Sequence, residues 1–141
     1  MNDRTDIIDA DAAAEPVGAY PHARRAGNLL FLSGIGPRVR GERDIPGVVL
    51  DARGQVVDYD IALQCHAVMR NVRAVLEAAG SSWERLVDVT VFLTDIERDF
   101  ATYNRVYAEY FPGPQRPCRT TVEVRRLPTP IAIELKCIAT L

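Results

Sequence analysis

Lysine is nearly missing from this chain: of seventeen basic residues only Lys136 is a lysine, and the rest are arginines. Genomic base composition is the bland explanation for most of them, yet a guanidinium is a planar, two-pronged donor and suits a carboxylate clamp. Cysteine is also scarce. Cys65, Cys118 and Cys137 are odd in number and widely spaced, which argues for reduced thiols and against a disulfide framework. With two histidines, His22 and His66, and no CxxC or HxxxH spacing, neither a metal site nor any other cofactor is expected. Apolar runs extend only a few residues, far short of a membrane span. The acidic start, Met1 to Asp11, has no apolar stretch of signal-peptide type, so a cytoplasmic location is expected. Gly34-x-Gly36 is followed by proline and opens no helix, so it is not a nucleotide-binding fingerprint. A net charge of −2 and a pI near 5.7 give no reason to expect a nucleic-acid partner.

What is present fits one domain. The 141 residues are 48% hydrophobic with a mean hydropathy of −0.06, which excludes disorder throughout and allows a modest core, of a size often completed by oligomerisation. Residues 1–15 are expected to be a flexible N-terminal segment and 16–141 the domain. Leu29 to Ser33 reads as a short strand stopped by Gly34 and Gly36-Pro37. Asp51 to Gly54 reads as a turn between short strands. Asp58 is the expected N-cap of a helix whose stripe is Ile61, Cys65, Val68, Met69, Val72, Val75, Leu76 and Ala79, closed by Gly80. Leu86 to Leu93 alternates as a strand, with Val87, Val89, Val91 and Leu93 on one face. A second helix is expected from about Asp99, burying Phe100, Tyr103, Tyr107, Tyr110 and Phe111 until Pro112-Gly113-Pro114 breaks it.

The last two dozen residues read as two strands forming a hairpin-like pair, interrupted by Leu127-Pro128-Thr129-Pro130, whose prolines lack ladder donors. Period-two alternation groups Arg119 with Thr121 and Glu123, and sets Glu134 opposite Ile133, Leu135 and Cys137. This reading puts Arg119 and Glu134 on one sheet face, a guanidinium for a substrate carboxylate beside a carboxylate that positions water. A mixed sheet with both helices on one face leaves Asp88, Thr90, Phe92, Arg119, Thr121, Glu123, Glu134 and Ile138 on the other. Such a face is too mixed for a core and too bulky to be merely wet, so burial against neighbouring subunits is expected.

These residues resemble a known family. Arg119, Val122-Glu123-Val124, Leu127-Pro128 and Ile133-Glu134-Leu135 are similar, in order and spacing, to the C-terminal signature of the Rid (YjgF/YER057c/UK114) family of enamine and imine deaminases. Gly18-Ala19-Tyr20, Leu32-Ser33-Gly34 and Val91 to Asp95 with Asp99-Phe100-Ala101 and Asn104 extend the likeness. The first fifteen or so residues and Arg38 to Val57 lack a good counterpart. The resemblance implies an α+β fold, a chorismate-mutase-like mixed β-sheet with two helices packed on one face, forming a homotrimer with active sites between subunits.

It also implies the site. Arg119 would anchor a substrate carboxylate, assisted by the Thr121 backbone amide where many relatives carry a cysteine. Glu134 would orient or activate water. An arginine beside it would keep it ionised, whereas desolvation would favour the neutral acid, and both readings stay open. Tyr20, Ser33 and Gly34 would line the cleft, with Asn104 reaching it from the second helix. Cys118 reads as structural, His66 as a surface histidine, and His22 as an accessory residue facing the cleft with Tyr20. The Arg-bearing loop after Ser33 looks like that of the 2-aminomuconate deaminases, whose dicarboxylate enamine would gain from a second cation, with Arg38 the first choice. The expected activity is hydrolysis of 2-aminomuconate to 4-oxalocrotonate and ammonia. A general 2-iminobutanoate or 2-iminopropanoate deaminase and a non-catalytic trimeric binding protein are the alternatives. Neither nucleic acid nor membrane is an expected partner.

Overall fold

The computed structural model describes residues 6–141. In chain order the elements are β1 (Ile7–Ile8), β2 (Ala23–Ala26), β3 (Leu29–Leu32), β4 (Val48–Leu50), β5 (Val56–Tyr59), α1 (Ile61–Ala78), β6 (Leu86–Leu93), α2 (Ile96–Tyr110), β7 (Cys118–Glu123) and β8 (Ile133–Thr140). Six strands form one mixed sheet in the order β1-β2-β3-β8-β6-β7, while β4 and β5 form a separate ribbon. The two helices cover one sheet face, as expected for this α+β architecture. Leu30, Leu32, Val89, Val91, Leu93, Ile133, Cys137 and Ala139 on that face are all fully buried. None of the helices among the described residues is long and apolar enough to cross a membrane.

Helix α1 forms where its stripe predicts, and every residue of that stripe is buried. Its N-cap is Asp60 rather than Asp58: the Asp60 side chain accepts from Leu63 N, while Asp58 takes an ion pair with Arg98 at 3.1 Å. Two acidic candidates two residues apart are both plausible caps, and only backbone geometry chooses between them. Gly80, at φ +77°, lets the helix end in a turn where Gly80 N donates to Glu77 O and Ser81 N to Leu76 O.

Helix α2 begins at Ile96, earlier than expected, because Asp95 caps it by accepting from Arg98 N. The shift turns Asp99 inward and Phe100 outward. Asp99 is 1% exposed and accepts from the Tyr59 hydroxyl at 2.5 Å, whereas Phe100 is 40% exposed. Burial raises the proton affinity of Asp99 despite that hydrogen bond. In β6, Val87 also departs from expectation. The ladder with β8 shifts register between Leu86 and Asp88, so Leu86 is buried and Val87 is exposed.

The largest correction concerns β7 and β8, which are not neighbours. β6 lies between them, parallel to β7 and antiparallel to β8. Phe92 pairs with both Val122 and Glu134, so those three share the face away from the helices. Val89 pairs with Arg119 and Val91 with Thr121, so Arg119, Thr121 and Glu123 lie on the helix side at the sheet edge. Arg119 and Glu134 therefore sit on opposite faces of the sheet.

Of the N-terminal segment, residues 1–5 lie outside the described residues. Ile7 and Ile8 pair with β2, and Ala10 and Ala13 are buried, so packing reaches ahead of residue 16.

Candidate active site

The Glu134 half of the site is built on a strand irregularity. β3 pairs with β8 through Phe31–Ile138, and contact resumes at the bridge Ile35–Leu135. Three residues lie between those points on one strand and two on the other, so Leu32-Ser33-Gly34 contains a bulge. The Leu32 carbonyl, freed from the ladder, is met by the Lys136 ammonium. Ser33 is tied at both ends, its N–H donating to His22 O at 2.9 Å and its hydroxyl to Pro21 O at 2.7 Å.

Gly34 is needed here because Glu134 occupies the space a side chain would take. A Cβ at Gly34 would fall 2.8 Å from Glu134 Oε2 and 3.0 Å from its Cδ. Glu134 is half-buried, with no hydrogen-bond or ion-pair partner among the described residues, and burial raises its proton affinity above that of an ordinary glutamate. Gly34→Ala should push the carboxyl out of place with little change in melting temperature, since the displaced group is a flexible side-chain end. A Glu134 side chain left in its parental position in the variant's crystal structure would remove Gly34 from its control.

Beside this bulge is a cavity of about 40 Å³ that brings together Tyr20, Ser33, Gly34 and Arg38. Its far wall is Ala13 to Pro16, which the sequence reading missed. Tyr20 is 42% exposed and its hydroxyl accepts from Val17 N at 3.2 Å. Arg38 is half-buried and donates to Glu15 O. Asn71 holds the loop from behind, donating from α1 to Gly36 O at 2.9 Å and Arg38 O at 2.7 Å. A buried polar residue flanking an otherwise apolar stripe was the available signal for it.

Arg119 forms the second half, on the edge strand. Its guanidinium donates to Asn104 Oδ1 at 2.9 Å and lies 5.2 and 4.7 Å from the ring centroids of Tyr103 and Tyr107. Asn104 thus touches the arginine directly. No carboxylate pairs with Arg119 among the described residues; Glu123, on the same row of β7, accepts from Ile96 N at the start of α2. Thr121 shares a hydrogen bond with the Tyr103 hydroxyl at 2.5 Å. Tyr103 and Tyr107 were legible as a buried stripe but not as a platform for the guanidinium. Burial pushes both phenols further above their usual range.

His22 lines the same cavity as Tyr20, but it is buried and both ring nitrogens bond backbone groups. His66 meets the Tyr110 hydroxyl at 2.6 Å. Cys118 is exposed on the face away from the helices, in register with Asp88. Cys65 and Cys137 are buried, which pushes their thiols up to about 12 and keeps them protonated at neutral pH. Among the described residues no group of three or more His, Cys, Asp or Glu side chains could hold a metal ion.

The α+β domain thus sets a half-buried carboxylate over a glycine bulge and a guanidinium on its edge strand, two groups able to bind small polar molecules. Comparison makes this particular. The family model described as Endoribonuclease L-PSP matches residues 10–141. A RutC family protein of Pyrococcus horikoshii is 42% identical over 135 residues, covering 95% of this chain and 96% of that one. Reactive Intermediate Deaminase A of Arabidopsis thaliana chloroplasts is 34% identical over 138 residues, covering 98% and 67%. Among solved structures, E. coli TdcF with bound serine superposes with a TM-score of 0.81 at 33% identity, covering 96% and 98%. The chain belongs to the Rid (YjgF) family.

Proposed function

We propose that this chain is a hydrolytic deaminase of carboxylate-bearing enamines and imines, working in clefts that two subunits of a homotrimer share. The observation that carries this reading is the separation of its two unpaired charges: Arg119 on the helix side of edge strand β7, Glu134 on the opposite face of β8. A single substrate reaches both only if each cleft takes Arg119 from one subunit and Glu134 from the next. The open face supplies the surface for such an assembly, with Leu29, Phe31 and Val122 each more than a third exposed. A relative named for reactive-intermediate deamination and another solved with serine, a small amino acid, agree with the substrate class.

In this reading Arg119 holds the substrate carboxylate through paired charge-assisted hydrogen bonds, with Asn104 and the two tyrosines fixing its plane. The enamine tautomerises to the imine. Glu134 takes a proton from water as the oxygen adds to the imine carbon and passes it to the nitrogen, giving the carbinolamine; it then takes the hydroxyl proton and delivers it to the nitrogen as the carbon–nitrogen bond breaks. Imine and water become ketone and ammonia, and the carboxylate is restored. The raised proton affinity of Glu134 suits a group that must carry that proton between steps.

The finer proposal is a dicarboxylate substrate, 2-aminomuconate, giving 4-oxalocrotonate. Arg38 lines the same cavity as Ser33 and Gly34, and among the described residues only one of its five N–H donors is committed, to Glu15 O. The others are free for a distal carboxylate. Arg38→Ala should raise KM for 2-aminomuconate about tenfold or more while leaving 2-iminobutanoate within about twofold, since one charge-assisted contact is lost from one substrate only. Equal losses on both, in an ammonia-release assay, would reject Arg38 as the second clamp. A net charge of −2 offers no electrostatic pull toward RNA, despite the family model's description.

A further inference from the structure

We infer that His22 is a positioning residue that holds the N-terminal strap, residues 10–16, as one wall of the substrate cavity; the catalytic part of this inference rests on the deaminase reading above. His22 is 6% exposed and reaches far along the chain with both ring nitrogens. Nδ1 lies 2.9 Å from Ala10 N, and Nε2 2.7 Å from Ala14 O. A backbone amide can only donate and a carbonyl can only accept, so the ring is neutral with its proton on Nε2. Neither nitrogen is left for acid–base work.

The same residue grips the opposite wall through its backbone, where its carbonyl accepts from Ser33 N at 2.9 Å. His22 therefore joins the strap to the Ser33-Gly34 bulge. Arg40 adds a second grip on the strap, donating to Ala13 O at 2.7 Å and Ala10 O at 3.2 Å. These hydrogen bonds are what seat Ala14, Glu15 and Pro16 along the cavity, and the Glu15 carbonyl in turn orients Arg38. Loosening the strap would unseat the side chain assigned to the distal carboxylate while leaving Glu134 and Arg119 in place.

His22→Leu fills the buried volume but offers neither hydrogen bond, whereas His22→Gln supplies one acceptor and one donor on the same side. The leucine variant should raise KM for 2-aminomuconate about tenfold with kcat for 2-iminobutanoate within about twofold, and His22→Gln should restore most of that loss. Amide exchange over residues 10–16 should quicken at least tenfold in His22→Leu and stay near the parent rate in His22→Gln. Arg40→Met, which cuts the second grip, should give the leucine signature and serves if His22→Leu does not fold. Exchange is read without substrate. Parental protein that releases no ammonia from either substrate would remove the deaminase reading, while exchange would still decide the strap. Unchanged exchange and unchanged KM in His22→Leu or Arg40→Met would overturn the inference, as would a glutamine variant no better than leucine.

Discussion

Arg119→Ala should lower kcat/KM for carboxylate-bearing imines by about 10²- to 10⁴-fold, the loss expected when two charge-assisted hydrogen bonds of roughly 1.5–3 kcal/mol each are removed from a shielded carboxylate. The size of the effect follows from what surrounds the guanidinium. It is exposed, has no carboxylate partner among the described residues, and is held by Asn104 and the faces of Tyr103 and Tyr107. A cation kept in place by neutral groups retains its full capacity for an anion. Arg119→Lys keeps the charge but loses the fork and the planar stacking, so it should recover only a small part of the activity. The fold should be indifferent, because an exposed edge-strand side chain contributes little to the core. Melting within a few degrees of the parent, together with the kinetic loss, is the expected pair of results. Full activity in the alanine variant would leave the substrate carboxylate without its proposed anchor.

Glu134→Gln should be comparably severe in rate and, unlike Arg119→Ala, should raise stability at neutral pH. A positioned general base is worth about 10²–10⁴-fold, and the amide cannot accept the proton of the attacking water. Burial raises the proton affinity of Glu134 in the folded chain. The stability that protonation adds is therefore fully present below the unfolded carboxyl's range and is lost as pH rises through the raised folded value. At neutral pH the ionised group costs stability, so Glu134→Gln should melt higher than the parent at pH 7, with the gap closing as pH falls. The same shift should appear in catalysis. The acid limb of kcat/KM should have its midpoint above 4.5, the ordinary glutamate value, and should vanish from the residual activity of the variant. An acid limb at or below 4.5 would contradict the role given to this carboxyl.

Most elements could be read from periodicity alone, α1 best of all, because an uninterrupted apolar stripe between an acidic cap and Gly80 admits one answer. The candidate residues fall into two groups, Tyr20, Ser33, Gly34 and Arg38 at one cavity and Arg119 with Asn104 at the edge strand, and this arrangement was not legible. Alternation in β7 groups Arg119 with Thr121 and Glu123, and nothing in that period says which row faces the helices. Val122 was the misleading cue. As the apolar residue it invites burial, yet it is 38% exposed on the open face of the single chain. A signal for the true order did exist. β6, α2 and β7 form a strand–helix–strand unit, and such crossovers make parallel neighbours, which leaves β8 to pair on the other side of β6. The strap along the cavity left no such trace: its grip comes from carbonyls of a segment rich in alanine, reached by His22, Arg38 and Arg40 from distant positions.

The central claim is that no single subunit holds a complete site. Arg119→Ala and Glu134→Gln chains, each inactive alone, should be unfolded together, refolded as mixed trimers and assayed for ammonia release. Random assembly should restore about a quarter of parental activity, because each cleft draws two halves independently and both must be intact. Mixed trimers as inactive as either variant alone would mean that Arg119 and Glu134 act within one chain, and the shared cleft would have to be abandoned.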